Sequence, residues 1–280
     1  MAKVARIALR GGGSMPVLGQ GTWRFGEDPA RRADEVAALR LGLDLGLAVV
    51  DTAEMYGDGA SEERVAEAIG GRRDEVFLVS KVLPSHATRR GVVRACEGSL
   101  RRLRTDRLDL YLLHWRGATP LEETVAGFAD LVRAGKIRAW GVSNLDVSDL
   151  EELVALRGGA EVASDQVLYN PSRRGVEHDL LPWCRARGVA VMAYSPLQQG
   201  ALLGNRALRE VGRRHGATAV QVALAWAIRG GGVCAIPEAR TPAHVRENRA
   251  ALELLLGPED LAALDRAFPP PARKVPLEII

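Results

Sequence analysis

Short apolar runs alternate with amphipathic stretches along the whole chain, and this alternation limits the possible folds more than any other feature. Eight such runs, rich in Val, Ile and Leu, occupy 15–23, 47–51, 75–81, 108–114, 137–144, 162–166, 189–195 and 232–237. Short runs of this composition are typical of parallel strands that are buried on both faces. A strand followed by a helix, repeated eight times, predicts an α/β fold of the (β/α)8 TIM-barrel type. An open doubly wound sheet is the alternative on this pattern alone.

The segments between the apolar runs have the periodicity and the end signals of helices. One apolar helix face is formed by Val92, Cys96, Leu100 and Leu103. The sequence TPLE at 119–122 predicts a helix start with a capping box. Thr241 followed by Pro242 predicts another helix start.

The chain has no linker-like segment between its halves, so one domain spanning residues 1–280 is expected. A barrel of about 250 residues fits this length. The segment VARIALRGGGSMPVLGQG has three glycines, Gly11 to Gly13, between two apolar stretches. We expect it to form a β-hairpin that closes the floor of the barrel.

Charge and composition exclude several classes of protein. The net charge of +3 comes from basic residues interleaved with acidic ones, whereas nucleic-acid binders gather positive charge on one face. No run approaches the roughly 20 apolar residues of a membrane span, and Arg6 and Arg10 interrupt the apolar N-terminal stretch, which argues against a secretory signal. Cys96, Cys184 and Cys234 are widely spaced, which favours small buried residues over disulfides or metal ligands. We expect a cytoplasmic protein without nucleic-acid, membrane or metal partners.

Polar side chains follow six successive apolar runs, at the point where each predicted strand ends. They are Asp51, Lys81, His114, Ser143 with Asn144, Gln166, and Tyr194 with Ser195. The C-terminal ends of barrel strands meet on one rim, where the active sites of these barrels lie. Singly, these residues have ordinary explanations, since an Asp after a strand is more often a cap or turn former. Their convergence on one rim is hard to explain by packing.

An acid, a tyrosine, a lysine and a histidine from three consecutive loops suit the delivery of a proton to a carbonyl oxygen. The ordinary pKa of tyrosine, near 10, is too high for efficient proton exchange at neutral pH, and we expect the Lys81 ammonium to lower the pKa of Tyr56. Asp51 would keep Lys81 charged, and His114 would orient the carbonyl oxygen. These side chains cannot supply a hydride, so a nicotinamide cofactor is required. The sequence has no phosphate-binding-loop, zinc-protease, nucleophile-elbow or Rossmann motif.

Seven segments, in order, resemble the signatures of the aldo-keto reductase family over nearly the whole chain. They are DTAEMYGDGASEERVAEAI, VSKVLP, LHW, WGVSN, QVLYNP, AYSPL and IPEARTPAHVRENRAAL. The resemblance implies a (β/α)8 barrel that reduces an aldehyde or ketone to an alcohol with NADPH. The chain is most similar in character to short bacterial members that reduce methylglyoxal and small aldehydes.

The resemblance also implies a role for each site residue. Tyr56 would be the general acid, tuned by Lys81 and Asp51, with His114 orienting the carbonyl. The nicotinamide and pyrophosphate would be bound by Thr22, Trp23, Ser143, Asn144, Gln166, Tyr194, Ser195 and Leu197. The adenosine end would be enclosed by Ile236, Pro237, Glu238, Ala239, Arg240, His244, Glu247 and Asn248. The substrate pocket would be formed by Trp23, Tyr56, His114 and Trp115.

Two positions depart from the family pattern near the 2′-phosphate of the cofactor. Members that prefer NADPH place a Lys after the Ile-Pro pair and an Arg six residues beyond it, and these positions hold Glu238 and His244. A carboxylate repels a phosphate, and Arg240 or Arg246 would compensate through bidentate binding. NADPH is the expected cofactor, and NADH is the alternative.

Two other functions fit parts of the pattern. A cofactor-sensing regulatory protein would bind the nicotinamide cofactor with little turnover, but it would not need the set of Tyr56, Lys81 and His114. A barrel lyase or aldolase would use Lys81 as a Schiff-base amine, which leaves the YNP, YSPL and IPEAR segments without a purpose. We expect a monomer that acts on a small-molecule carbonyl substrate.

Overall fold

The computed structural model describes residues 4–280, and in that part of the chain eight parallel strands form one sheet with helices outside it. An antiparallel hairpin of β1 (Arg6–Ala8) and β2 (Ser14–Pro16) precedes the sheet. The parallel strands are β3 (Gly19–Gly21), β4 (Val49–Asp51), β5 (Phe77–Val82), β6 (Leu108–Leu113), β7 (Ile137–Ser143), β8 (Ser164–Leu168), β9 (Ala190–Tyr194) and β10 (Val233–Ala235). They are hydrogen-bonded in sequence order from β3 to β10.

The first and last parallel strands meet, which closes the sheet into a barrel. The amide of Gly21 donates to the carbonyl of Pro237 at 3.1 Å, and the amide of Ala235 donates to Val17 at 3.0 Å. A Cβ atom on Gly21 would lie 2.7 Å from the carbonyl oxygen of Ile236, so this seam requires glycine. The predicted (β/α)8 barrel is confirmed, and the open doubly wound sheet is wrong.

The helices lie outside the barrel, and each has buried residues on one side. They are α1 (Arg32–Asp44), α2 (Ala60–Ile69), α3 (Arg89–Leu103), α4 (Leu121–Arg133), α5 (Val147–Ala155), α6 (Leu180–Arg187), α7 (Arg206–His215), α8 (Ala219–Ile228), α9 (Pro242–Ala250) and α10 (Pro258–Ala267). The predicted face of α3 is confirmed, because Val92, Cys96, Leu100 and Leu103 are all buried in the core between helices and strands.

Both predicted helix starts are confirmed, and one of them has a side-chain cap. Thr241 caps α9 and accepts the amide of His244 at 3.3 Å. The start of α4 at Leu121 is also confirmed, but the predicted capping box is wrong. Pro120 occupies the cap position with an extended backbone and has no side-chain oxygen to accept a bond.

The predicted N-terminal hairpin is confirmed and packs into the barrel interior. Leu9 and Met15 are buried in the same cluster as Val49, Ala190 and Cys234 of the barrel strands. The expectation for the cysteines is also confirmed, since Cys96, Cys184 and Cys234 are all free and buried. Within residues 4–280, none of the helices has the length and apolar character needed to cross a bilayer.

Candidate active site

The C-terminal ends of the strands open into a cleft of about 690 Å³, a volume typical of small-molecule and cofactor sites. Most residues predicted for the site line it: Thr22, Trp23, Asp51, Tyr56, His114, Trp115, Ser143, Asn144, Gln166, Tyr194, Ser195, Leu197, Ile236, Pro237, Glu238, His244, Glu247 and Asn248. Of the predicted residues in the described chain, Lys81, Ala239 and Arg240 do not line the cleft.

Lys81 connects the predicted acid and the predicted tyrosine. It lies near the end of β5, its side chain is 0% exposed, and its Nζ donates to Asp51 Oδ2 at 2.8 Å. The same ammonium donates to the Tyr56 hydroxyl at 3.1 Å and to the Thr52 carbonyl at 2.9 Å. Tyr56 begins a short turn after β4, in which Gly57 has a φ of 55°, a conformation that glycine adopts easily. Three oxygens thus satisfy the three donors of one buried ammonium.

Burial and charge act in opposite directions on this group of side chains. Burial disfavours a charged Lys81, but Asp51 and Tyr56 together outweigh it and raise the pKa of Lys81. Burial also raises the pKa of Tyr56 above its ordinary value, because it outweighs the attraction of the Lys81 ammonium. Lys81 lowers the pKa of Tyr56 as expected, but burial raises it by more, so the pKa lies above its ordinary value. At neutral pH the phenol carries its proton and is ready to donate it.

His114 is a neutral imidazole at the edge of the cleft. Its pKa is lowered to about 3 by burial and by the charge of Lys81. The rings of His114 and Tyr56 are 5.7 Å apart in an edge-to-face arrangement. Nδ1 is buried and has no hydrogen-bond partner among the described residues. A proton on Nε2 leaves only an unpaired acceptor at that buried position, so Nε2 is the nitrogen that can donate to a ligand.

Asn144 organises the loop that follows β7. Its φ is 60°, and Asn is one of the few residues that tolerate this left-handed backbone. Its side-chain amide donates to Ser143 Oγ at 3.1 Å and to the His114 carbonyl at 3.2 Å, and its Oδ1 accepts the Tyr194 hydroxyl at 3.0 Å. Gln166, on the neighbouring strand, donates to Asp51 Oδ1 at 2.8 Å. These bonds hold the amide oxygens and hydroxyls of the cleft wall in fixed directions.

Glu238 lines the cleft where the chain leaves β10, and it pairs with Arg240. Arg240 Nε lies 2.7 Å from Glu238 Oε1, and the second carboxylate oxygen accepts the amide of Arg24 at 3.2 Å. In the described part of the chain, Arg240 Nη2 is buried and has no hydrogen-bond partner. One donor of the guanidinium is therefore unpaired behind the cleft wall.

A model of the Aldo/keto reductase family matches residues 17–268 of the chain. The chain belongs to this family. It is 52% identical to methylglyoxal reductase YeaE of Escherichia coli, with 98% of each chain covered. It is 34% identical to a glyoxal reductase of Bacillus subtilis over 92% of this chain and 91% of that protein. A crystal structure of an aldo/keto reductase from Klebsiella pneumoniae, in complex with NADP and acetate, has a TM-score of 0.97 at 50% identity and covers 100% of both chains.

As an aldo-keto reductase, the chain is an oxidoreductase, and the state of Lys81 agrees with that chemistry. A Schiff-base lysine must become an uncharged amine that the substrate can reach. Lys81 is buried below the cleft, is bonded to three oxygens and has a raised pKa. Its arrangement suits a fixed charge beside Tyr56 and not a nucleophile.

The cleft of this aldo-keto reductase also includes residues that the sequence did not single out. Arg24 follows the predicted Trp23, Met55 precedes the predicted Tyr56, and Leu203 lies in the loop after β9. Ile279 and Ile280, at the far end of the sequence, line the cleft as well. Proximity to a predicted strand end could have indicated the first two. Nothing in the periodicity places Ile279 or Ile280, because their position depends on the path of an irregular segment.

Proposed function

We propose that this chain reduces aldehydes and ketones to alcohols with NADPH, using Tyr56 as the proton donor. The observation that supports this most directly is the Tyr56 hydroxyl in the cleft at 3.1 Å from the buried Lys81 ammonium. The relatives named as methylglyoxal and glyoxal reductases support the same reaction class. The complex of a relative with NADP supports the choice of cofactor.

The chain's own residues would bind the carbonyl and supply the proton. Bound NADPH supplies the hydride that reduces the carbonyl carbon. His114 Nε2 and the Tyr56 hydroxyl would both donate hydrogen bonds to the carbonyl oxygen, and Tyr56 would release its proton to that oxygen as negative charge develops there. Lys81 would stabilise the phenolate that remains, and Asp51 would balance the charge of Lys81.

The polar groups of the cleft fit a nicotinamide cofactor. Ser143, Asn144 and Gln166 would meet the carboxamide, and Tyr194 would stack on the ring. The pyrophosphate would be bound by Ser195 and Leu197, with Thr22 and Trp23 also in contact. The adenosine end would lie among Ile236, Pro237, Glu238, Ala239, His244, Glu247 and Asn248. The guanidinium of Arg240 would bind the extra phosphate of NADPH by turning its unpaired Nη2 toward the cleft, although Glu238 beside it would repel that phosphate.

Methylglyoxal and similar small carbonyls are the proposed substrates, since two relatives are named for them. Trp23 and Trp115 would form an apolar wall beside the reacting oxygen. A monomer acting in the cytoplasm is proposed with this function. A cofactor-sensing protein would bind NADPH tightly without turnover, so the assay below also distinguishes that alternative.

The test is NADPH oxidation with methylglyoxal, compared between the wild type and Tyr56→Phe. Loss of the hydroxyl should lower kcat by about 10²- to 10⁴-fold, the usual contribution of a general acid, and leave the NADPH dissociation constant nearly unchanged. Tyr111→Phe is the matched control, because Tyr111 is fully buried and is not part of the cleft wall. High activity in Tyr56→Phe would show that the acid is a different group.

A further inference from the structure

The C-terminal segment, residues 268–280, forms part of the cleft wall although it is neither helix nor strand. Ile279 and Ile280 line the cleft together with Tyr56 and His114, and they are 57% and 56% exposed. The backbone of Ile280 lies beside the Tyr194 hydroxyl. An apolar surface near the catalytic phenol is therefore supplied by a segment that needs outside contacts to hold its place.

Ion pairs provide those contacts at two points along the segment. Lys274 Nζ donates to Asp146 Oδ1 at 2.8 Å and to Asp179 Oδ2 at 2.6 Å. Four residues later, Glu278 accepts Arg173 Nη1 at 2.5 Å. These partners lie in the loops after β7 and β8 and before α6, so the segment is tied to the rim of the barrel on the side of Asn144.

The side chain of Asp146, which forms the first ion pair, is held in place by the start of α5. Its side chain caps α5 by accepting the amide of Val147 at 2.7 Å, and it lies two residues after Asn144. Between the ion pairs, Val275 packs so closely on Gly175 that a Cβ atom there would lie 2.7 Å from Val275 Cγ2. Leu277 packs against the core. Charge and packing together direct the last residues toward the cleft.

Other exposed apolar side chains stand at the same opening. Trp23 is 41% exposed and Met55 is 39% exposed, and both line the cleft. Together with Ile279 and Ile280 they make this opening apolar over several side chains. Burial of apolar area contributes about 25 cal/mol per Å², so a substrate with an apolar side group would gain from this surface.

We propose that Lys274 is a positioning residue that determines substrate preference. By holding Ile279 and Ile280 against the cleft, it extends the range of substrates beyond methylglyoxal to aldehydes with an apolar side group, such as an aromatic ring. This inference rests on the proposed carbonyl reduction. Lys274 does not itself line the cleft, so it acts through the C-terminal segment and leaves the proton transfer at Tyr56 unchanged.

The test compares benzaldehyde and methylglyoxal binding to the enzyme with NADP⁺ bound, measured by quenching of tryptophan fluorescence. In Lys274→Gln the dissociation constant for benzaldehyde should rise about fivefold, which corresponds to the roughly 1 kcal/mol that a good exposed ion pair contributes. The constant for methylglyoxal should change less than about twofold. Ile279→Ala should give the same selective loss, and high salt should reproduce it in the wild type because salt screens exposed charges. In turnover with benzaldehyde, KM should rise while kcat stays the same.

Lys136→Gln is the matched control, because Lys136 also pairs with a carboxylate, Glu97, at 2.5 Å but lies outside the cleft wall. Limited proteolysis with chymotrypsin gives a measurement that does not depend on turnover. Cleavage within residues 268–280 should become faster in Lys274→Gln and stay unchanged in Lys136→Gln. Unchanged cleavage, or equal weakening of both aldehydes, would overturn the role of Lys274. If the wild type turns over no aldehyde, the proposed reduction fails, while binding and proteolysis still decide the role of Lys274.

Discussion

Replacing Asp51 with asparagine removes one charge from the buried pair with Lys81 and nearly preserves its shape. The two charged atoms are 2.8 Å apart, and the side chains are 0% and 3% exposed. At an effective dielectric constant of about 20, their attraction is on the order of 6 kcal/mol. Desolvation of both charges offsets much of this, so the pair adds little net stability, but removal of one partner typically costs about 3–5 kcal/mol. We expect Asp51→Asn to lower the free energy of unfolding by that amount at neutral pH.

The free energy of unfolding should depend on pH with opposite signs in the wild type and in Asp51→Asn. In the wild type the pKa of Lys81 is raised, so its contribution is fully present below the unfolded pKa of about 10.4 and is lost only at higher pH. Without Asp51, burial dominates and the pKa of Lys81 falls below its ordinary value. The unfolded variant then binds more protons than the folded one, so its stability rises with pH by up to about 1.4 kcal/mol per unit.

Urea unfolding followed by circular dichroism at about pH 7 and about pH 9 measures both effects. The difference in free energy of unfolding between the wild type and Asp51→Asn should be smaller at the higher pH. Glu97→Gln is the control, since Glu97 and Lys136 form a similar pair at 2.5 Å with side chains 40% and 34% exposed. Glu97→Gln should lower the free energy of unfolding by no more than about 1 kcal/mol, and this loss should be the same at both pH values. A loss below about 1 kcal/mol in Asp51→Asn, or a difference from the wild type that stays constant with pH, would refute the electrostatic account of this pair.

Three further substitutions test the cofactor end of the cleft and the barrel seam. Glu238→Gln should shift the ratio of the NADH and NADPH dissociation constants about tenfold toward NADPH, equivalent to about 1.4 kcal/mol, whereas Arg240→Ala should weaken NADPH alone. Fluorescence titration measures both, with Arg133→Ala as the control because Arg133 pairs with Asp130 and is not part of the cleft wall, and equal loss of the two cofactors in Arg240→Ala would remove Arg240 from phosphate binding. Gly21→Ala should lower stability by about 1–3 kcal/mol through overpacking, because its Cβ would lie 2.7 Å from the carbonyl oxygen of Ile236. Gly204→Ala, where no atom lies within 4 Å of the added Cβ, should leave thermal melting unchanged.

The barrel and the rim of polar strand ends were predictable because both depend on local periodicity. A buried parallel strand needs a short apolar run, and the residue after each run reaches the same rim, which is why Asp51, Lys81 and His114 could be assigned to one site. The net pKa of Tyr56 could not be predicted, because burial competes with the charge of Lys81 and burial is a property of the finished fold. The pairing of Glu238 with Arg240 depends on side-chain direction after β10, which periodicity does not encode.

The same limit applies to the C-terminal segment. Its position depends on ion pairs between Lys274 and Asp146, which are 128 residues apart in sequence, and on packing of Val275 against Gly175. Neither contact can be predicted from the residues near it in the sequence. The missing capping box at Pro120 is a smaller case, since a motif match specifies residue types but not which residue takes the cap position.

The groups proposed for proton transfer are attached to β4, β5 and β6, whereas part of the wall that meets the rest of the substrate comes from the irregular segment 268–280. These two parts of the molecule can therefore change independently. Substitutions in the segment would alter which carbonyl compounds fit, without disturbing the strands that hold Lys81 and His114. For enzyme engineering, this makes the last thirteen residues a natural region to randomise when a new aldehyde is to be accommodated.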